Sequence, residues 1–196
     1  MNSTSKLEKQ LMLKLFKELK VDYNASSISK GLGKTRVGTF KALKNLERKG
    51  LIKGKILGKA TFYKPSLNEE YTSKTIELLL MEEAKEHIRW LDEFKEIYSH
   101  AEIVIIFGSI LRNEKKAGDI DLLIILNQKS NPALNKTIDE KNGILIKKIH
   151  PIKQTQHDLI SNIKKDDKVI LSALKEGIVL HGYGDLVRLI KNVSDK

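Results

Sequence analysis

The chain has 196 residues, no cysteine and a formal net charge of +11. Its length allows one large or two small domains, and a content of 40% hydrophobic and 31% charged residues is typical of a packed, water-soluble protein. The lack of cysteine excludes disulfides and cysteine-ligated zinc, and because no apolar run approaches the ~20 residues that span a bilayer and no signal peptide opens the chain, we expect a cytoplasmic protein with no membrane partner.

The excess of positive charge lies almost entirely in one segment. Residues 1–70 hold 16 Lys and Arg against 6 Asp and Glu, whereas the rest of the chain holds 20 against 19. Between Lys30 and Lys64 the only acidic residue is Glu47. A local excess of this size indicates that the first segment has a polyanionic partner.

The basic segment is predicted to form three helices and a hairpin. Residues 6–19 have the pattern of an amphipathic helix, and Asn24 and Ser26 are both possible N-caps of a short second helix. Thr35 is predicted to cap a third helix, Arg36 to Lys49, in which Val37, Phe40, Leu43 and Leu46 would face inward. Residues 51–64 alternate around Leu57-Gly58-Lys59, which predicts a β-hairpin.

Three helices followed by a basic hairpin resemble the winged helix-turn-helix domains of MarR- and ArsR-like regulators. The stretch ISKGLGKTRVGTFKALKNLERKGLI carries the resemblance, which covers about residues 5–66. We therefore assign residues 1–68 to a winged helix-turn-helix domain that would bind double-stranded DNA, with its third helix in the major groove and its hairpin tip on the backbone or minor groove. The residues expected to contact DNA are Thr35, Arg36, Thr39, Lys41, Lys44, Asn45, Lys55 and Lys59. The alternative is a small helical domain that binds protein and keeps its basic face in solvent.

Residues 69–100 are predicted to form one long linking helix. Within Tyr71 to His100, apolar residues recur at helical spacing from Ile76 to Tyr98, which predicts one helix of about 25 residues and ~38 Å. This helix, the winged helix or both would pair two chains, so we expect a homodimer. Trp90 lies beside the apolar stripe, and we expect it to pack in a core or an interface.

The stretch VIIFGSILRNEKKAGDIDLLIIL, residues 104–126, holds two apolar runs separated by a polar loop. The first run ends in Gly108-Ser109 and the second begins at Asp119-Ile120-Asp121, which predicts two buried strands. Side chains alternate along a strand, so both aspartates should share one face while Ile120 points into the core. Neighbouring carboxylates repel each other unless a cation lies between them, and Gly-Ser suits a phosphate. The pattern predicts a site for a metal-bound triphosphate.

These motifs resemble the minimal nucleotidyltransferases of the polymerase-beta-like superfamily. Members carry Gly-Ser at the end of one strand and Asp-x-Asp at the start of the next, and Arg112 falls where many of them have an arginine. The stretch EGIVLHGYGDLVRLI, Glu176 to Ile190, is similar to the closing strand and helix of the family. The resemblance covers roughly residues 72–192 and implies an α/β domain with a small mixed sheet at residues 101–196, which makes the whole chain α+β.

The resemblance also implies roles for individual residues. Asp119 and Asp121 would be catalytic and would hold Mg²⁺ or Mn²⁺, while Gly108, Ser109 and Arg112 would bind the nucleoside triphosphate. A nucleoside monophosphate would then pass to an acceptor hydroxyl. Some members adenylylate a HEPN-type ribonuclease partner, so the chain is expected to act as an antitoxin-like or regulatory protein with a fused DNA-binding domain.

One part of the family pattern is missing from the sequence. The third carboxylate of the family is expected on the strand at residues 143–152, whose only ionisable residues are Lys147, Lys148 and His150. Asp139, Glu140 and Asp158 are candidates from neighbouring segments, and the spacing of the five histidines predicts no zinc site. Two interpretations stay open: an active transferase, or a transcriptional regulator whose inactive transferase domain senses a nucleotide or binds a partner.

Overall fold

A computed structural model of the protein describes residues 4–128 and 131–194. Packing divides the chain into two compact units, Met1–Leu79 and Leu80–Lys196. Each unit combines helices with a small sheet, which confirms the predicted α+β class. The assignment of residues 1–68, 69–100 and 101–196 to separate domains stays a prediction, and its outer limits at 1 and 196 lie outside the described residues.

Residues 4–65 of the first unit form three helices and a three-stranded antiparallel sheet in the order β1-β3-β2, and the unit ends within a further helix. Its elements are α1 (Lys6–Lys17), β1 (Tyr23–Asn24), α2 (Ala25–Gly31), α3 (Arg36–Arg48), β2 (Ile52–Leu57) and β3 (Ala60–Pro65). Leu57 pairs with Ala60, so the chain reverses through Gly58-Lys59. Gly58 has φ +60°, a conformation that glycine adopts without strain. The predicted hairpin is confirmed.

Side-chain caps begin the three helices of residues 4–65. Ser5 and Glu8 form a reciprocal capping box at the start of α1. Asn24 accepts hydrogen bonds from two backbone N–H groups at 2.9 Å, and Thr35 accepts one at 3.3 Å. The predicted starts of α2 and α3 are therefore confirmed.

Helix α3 buries a different face from the predicted one. Thr39, Leu43 and Leu46 are buried, whereas Val37 is 67% and Phe40 48% exposed. Three residues turn a helix by about 300°, so an apolar set spaced by three drifts around the axis, while positions i, i+4 and i+7 stay on one face. The expectation that Val37 and Phe40 face inward and that Thr39 faces outward is wrong.

The second unit is built around a four-stranded sheet in the order β6-β5-β4-β7. Its strands are β4 (Ile103–Phe107), β5 (Asp119–Leu126), β6 (Lys148–Thr155) and β7 (Ile178–His181). Strands β5 and β6 are parallel and the other neighbours are antiparallel, so the predicted small mixed sheet is confirmed. The remaining helices of the chain are α4 (Glu70–Lys85), α5 (Ile88–Glu93), α6 (Lys95–Tyr98), α7 (Ser109–Arg112), α8 (Pro132–Ile144), α9 (Gln156–Lys164), α10 (Lys168–Glu176) and α11 (Tyr183–Ser194).

The segment predicted to form one long helix forms α4, α5 and α6 instead. A turn closed by the bond from His87 N to Ala84 O, 2.8 Å long, ends the helical run after α4. The interruption lets Trp90 and Phe94 enter the core, where their rings stack 5.9 Å apart, and leaves Ile88 59% exposed. Core packing therefore overrides the apolar periodicity, and the predicted core position of Trp90 is confirmed.

Strand β4 lies at the centre of the second core, and all five of its residues are buried. On β5 the buried residues Ile120 and Leu122 alternate with the partly exposed Asp119 and Asp121, as the strand pattern predicts. Within residues 4–128 and 131–194, no helix combines the length and the apolar character needed to cross a membrane.

Candidate functional site

Three strands bring the sequence motifs to one edge of the second sheet. Strand β4 ends at Phe107, which pairs with Asp121 near the start of β5. Strand β6 runs parallel to β5 with Asp119 opposite Lys148 and Asp121 opposite His150. Because strand neighbours in register project to the same face, the aspartates and His150 point the same way.

Asp119, Asp121 and His150 form a cluster of side chains that could ligate a metal ion. His150 Nδ1 lies 3.9 Å from Asp119 Oδ2 and 3.9 Å from Asp121 Oδ1, and one ligand atom from each residue lies within 4.8 Å of the others. Two atoms that each lie about 2.1 Å from one ion are at most about 4.2 Å apart. The distances from His150 to both carboxylates therefore fit a shared ion.

Gly108 lies directly against the Asp121 carboxylate. Its φ of +84° belongs to the region that favours glycine, and a Cβ at this position would overlap Asp121 Oδ2. Ser109 follows as the partly exposed first residue of α7. Glycine is thus needed both for the backbone turn after β4 and for the space that Asp121 occupies.

Arg112, which is expected to bind the triphosphate, lies at the end of α7. Its guanidinium forms a 2.9 Å ion pair with Glu176, and the two side chains are 65% and 45% exposed. Exposed pairs of this kind contribute about 1 kcal/mol or less, so an anionic ligand can displace Glu176 at small cost.

The surroundings of Asp121 affect its ionisation. Burial raises the pKa of the Asp121 carboxyl above its ordinary value, and repulsion from Asp119 raises it further. The neighbouring Arg112 guanidinium and His150 side chain act in the opposite direction and lower the pKa of Asp121. A cation bound between the aspartates would reverse this penalty, since it favours the ionised form of both carboxylates.

The three acidic residues considered for the third carboxylate do not join this cluster. Asp139 and Glu140 lie on the exposed side of α8, and Asp158 forms a capping box with Thr155 at the start of α9. In the part of the chain that the structure describes, His150 completes the only group of three metal-ligating side chains. Sequence reasoning considered histidines only as pairs on helices and missed His150. The signal available in the sequence was that His150 lies on the strand segment, residues 143–152, where the family's third carboxylate is expected.

The residues expected to contact DNA lie on α3 and on the hairpin of the first unit. Arg36, Lys41 and Lys44 are exposed on α3. Lys55 is exposed on strand β2, and Lys59 is exposed in the hairpin turn. Three of the expected residues are engaged within the fold. Thr35 caps α3, Thr39 is buried, and Asn45 donates to Glu8 and accepts from Arg48 at 2.6 Å.

Comparison with known families bears on the second unit. Residues 87–180 match the family model described as a nucleotidyltransferase domain. The matched range contains Gly108, both aspartates and His150, and it covers slightly less than half of the chain. No curated protein and no solved structure matches the chain. Domains of the matched family act on a nucleotide substrate and generally use divalent metals, and we call residues 87–180 the nucleotidyltransferase domain for this similarity.

Replacing Asp121 with Asn is expected to stabilise the fold at neutral pH. The raised pKa means that the folded protein favours the protonated carboxyl, so stability is lost as pH rises through that pKa. Asn removes this loss, which we expect to be about 1 kcal/mol or less for a partly exposed group. The melting temperatures of wild type and variant should differ at pH 7 and converge near pH 3, below the ordinary Asp pKa of about 3.9.

The matched control for this measurement is Asp139→Asn, which removes an exposed carboxylate outside the cluster. It should leave the melting temperature nearly unchanged at both pH values. A gain for Asp121→Asn that persists undiminished at pH 3 would show that charge is not its cause.

Proposed function

We propose that the nucleotidyltransferase domain transfers a nucleoside monophosphate from a metal-bound nucleoside triphosphate to an acceptor hydroxyl. The observation that carries the proposal is the meeting of Gly108, Asp119 and Asp121 at one sheet edge, inside the range that the family model matches. A pair of carboxylates on one strand face suits a divalent cation that binds a triphosphate.

In the proposed reaction the acceptor oxygen attacks the α-phosphorus and forms a new P–O bond. The bond from the α-phosphorus to the oxygen that bridges to the β-phosphorus breaks, pyrophosphate leaves with that electron pair, and the hydroxyl proton passes to water. Asp119 and Asp121 would hold Mg²⁺ or Mn²⁺, which when bound neutralises charge on the β- and γ-phosphates. Gly108 and Ser109 would contact the triphosphate. Arg112 would leave its ion pair with Glu176 and stabilise the negative charge that develops on the phosphates.

The test is transfer of label from nucleoside triphosphates labelled at the α-phosphate, with Mg²⁺ or Mn²⁺ present. Acceptors to be supplied are small hydroxyl compounds and, from the resemblance to minimal nucleotidyltransferases, a ribonuclease of the HEPN type. We expect labelled acceptor and an equal amount of pyrophosphate. Metal-dependent nucleotide binding without transfer to any acceptor would contradict this activity.

A second candidate is a regulator whose nucleotidyltransferase domain binds a nucleotide or a partner protein without catalysis. It is favoured by one observation: among the described residues, no third carboxylate joins Asp119 and Asp121. The family's third carboxylate serves as a metal ligand or as the base that activates the acceptor. The same labelling experiment separates the two candidates, since this one predicts binding alone.

We further propose that the first unit binds double-stranded DNA as a winged helix. Support comes from the exposed side chains of Arg36, Lys41 and Lys44 on α3 and from the basic hairpin. Glu47, the only acid between Lys30 and Lys64, is paired with Lys44 at 2.8 Å and accepts from Gly54 N at 3.1 Å. Its negative charge is therefore partly neutralised within the unit.

The corrected face of α3 adds apolar surface to the proposed DNA contact. Val37 and Phe40 are exposed, and Lys44 lies over the Phe40 ring, 5.9 Å from its centre. Apolar side chains on a helix in the major groove contact thymine methyl groups, whereas lysine and arginine contact phosphates and guanine. Thr39 leaves the proposed contact set because it is buried.

We expect the protein to be a homodimer when it binds DNA. Regulators of this type read two half-sites about one helical turn apart, which a symmetric pair of chains does naturally. Light scattering should give about twice the 22.3 kDa chain mass. A particle of chain mass both with and without DNA would contradict the prediction.

A further inference from the structure

We propose that His150 is the third protein ligand of the cation held by Asp119 and Asp121, and that the site therefore prefers Mn²⁺ over Mg²⁺. The inference rests on the proposed function only in requiring that the two aspartates bind a cation. It names the residue that takes the place of the missing third carboxylate and the class of metal that this residue selects.

The register of the sheet singles out His150 on its strand. In the parallel β5–β6 pair, Lys148 lies opposite Asp119 and His150 opposite Asp121, so both face the aspartates. Lys148 Nζ donates to the backbone oxygens of Asn142 and Leu145, which draws it towards the end of α8. His150 is the residue of this face whose side chain remains at the carboxylates.

The distances from His150 to the two carboxylates fit a shared ion. Both distances from His150 Nδ1 to the carboxylate oxygens are 3.9 Å, below the limit of about 4.2 Å for two ligands of one ion. The side-chain exposures of Asp119, Asp121 and His150 are 48%, 26% and 79%. The ligands therefore converge on a solvent-accessible position where water or phosphate oxygens can complete the coordination.

The donor set decides which metal is favoured. Mg²⁺ demands oxygen ligands and retains its waters, so an imidazole nitrogen adds little to its affinity. Divalent transition metals accept imidazole readily, and Mn²⁺ also accepts carboxylate and phosphate oxygens. An imidazole in place of a carboxylate also removes one negative charge from the site. This lowers the affinity for Mg²⁺ more than the affinity for Mn²⁺, because Mn²⁺ regains binding energy from the nitrogen donor.

Mn²⁺ binding to the full-length protein, followed by electron paramagnetic resonance without nucleotide, tests the proposal. Nitrogen-14 modulation of the Mn²⁺ spin echo reports a directly bound imidazole, and competition with Mg²⁺ gives the affinity ratio. The variants are His150→Ala, His150→Asp, and His157→Ala as the control, since His157 is exposed on α9 outside the cluster. Melting curves of all variants establish that they are folded.

Wild type and His157→Ala should show nitrogen modulation and bind Mn²⁺ more tightly than Mg²⁺. His150→Ala should lose the modulation and at least about tenfold in Mn²⁺ affinity, because loss of groups that only orient metal ligands already costs about 10- to 100-fold. His150→Asp should bind both ions without the modulation, and its preference for Mn²⁺ over Mg²⁺ should fall.

Unchanged or stronger Mn²⁺ binding by His150→Ala, together with no nitrogen modulation in wild type, would overturn the role of His150. If His150 is not a ligand but the double variant Asp119→Asn with Asp121→Asn loses Mn²⁺ binding, the two aspartates still bind the metal and the proposed function is not contradicted. Mn²⁺ binding that survives in this double variant would overturn the aspartate site itself, and with it the metal chemistry of the proposed function.

Discussion

The double variant Asp119→Asn with Asp121→Asn should lose metal-dependent nucleotide binding and should unfold at a higher temperature than wild type. Ligand binding is lost because two neutral amides cannot neutralise a divalent cation. The fold gains stability because the charge of Asp121 is no longer partly buried, and because its repulsion with Asp119 is removed as well. The gain should be on the order of 1 kcal/mol, since both side chains are partly exposed.

Two measurements on the same samples check this result. Equilibrium binding of a fluorescent nucleoside triphosphate is compared in Mg²⁺, in Mn²⁺ and in chelator, and melting is followed by calorimetry. Loss of ligand with gain of stability is expected of residues retained for function at the expense of stability. The matched control replaces Asp139 with Asn and Glu140 with Gln on the exposed side of α8, which should change neither quantity. Equal nucleotide binding by wild type and double variant would show that the Asp-x-Asp motif reflects common ancestry and does not bind the nucleotide.

Binding of the full-length protein to duplex DNA should weaken steeply as salt is raised. Each phosphate neutralised by Lys or Arg contributes a slope of about −0.9 to log affinity against log salt. With six to ten such contacts, affinity should fall roughly 10³- to 10⁵-fold between 50 and 200 mM salt. The basis is the charge of residues 1–70, where 16 Lys and Arg stand against 6 Asp and Glu.

Variants on α3 locate the contact. Arg36→Ala and Lys41→Ala remove exposed charges from the proposed groove face, and each should weaken binding and lower the salt slope by about one unit if the lost contact is to a phosphate. Lys136→Ala removes a 79% exposed charge from α8 and should leave the slope unchanged. Equal effects of all three substitutions would argue for diffuse attraction by net charge and against a contact through α3.

The features predicted correctly from the sequence are mostly those with local causes. The caps at Asn24 and Thr35 act on backbone groups two or three residues away, and the turn at Gly58 reverses the chain within two residues. The alternation of Asp119 and Asp121 with buried neighbours follows from the two-residue period of a strand. Short-range chemistry of this kind is readable without knowledge of the rest of the fold.

The features that sequence reasoning missed depend on residues far apart in the chain. Helix geometry limits which residues of α3 can share a face, but packing against α1 and α2 selects the face that is buried, as the burial of Thr39 and the exposure of Phe40 demonstrate. The break after α4 follows from the burial of Trp90 in a core built on strands further along the chain. The meeting of His150 with Asp121 depends on the register of two parallel strands, which neither strand sequence specifies alone.

The pairing of His150 with Asp121 in the β5–β6 register also has an evolutionary consequence. Histidine and aspartate codons differ only in their first base, so one nucleotide change would place a carboxylate opposite Asp121. The backbone, Gly108 and the aspartate pair would need no accompanying change, because the position is exposed. If His150 is a metal ligand as proposed, a single mutation would therefore change the preference of the site between Mn²⁺ and Mg²⁺.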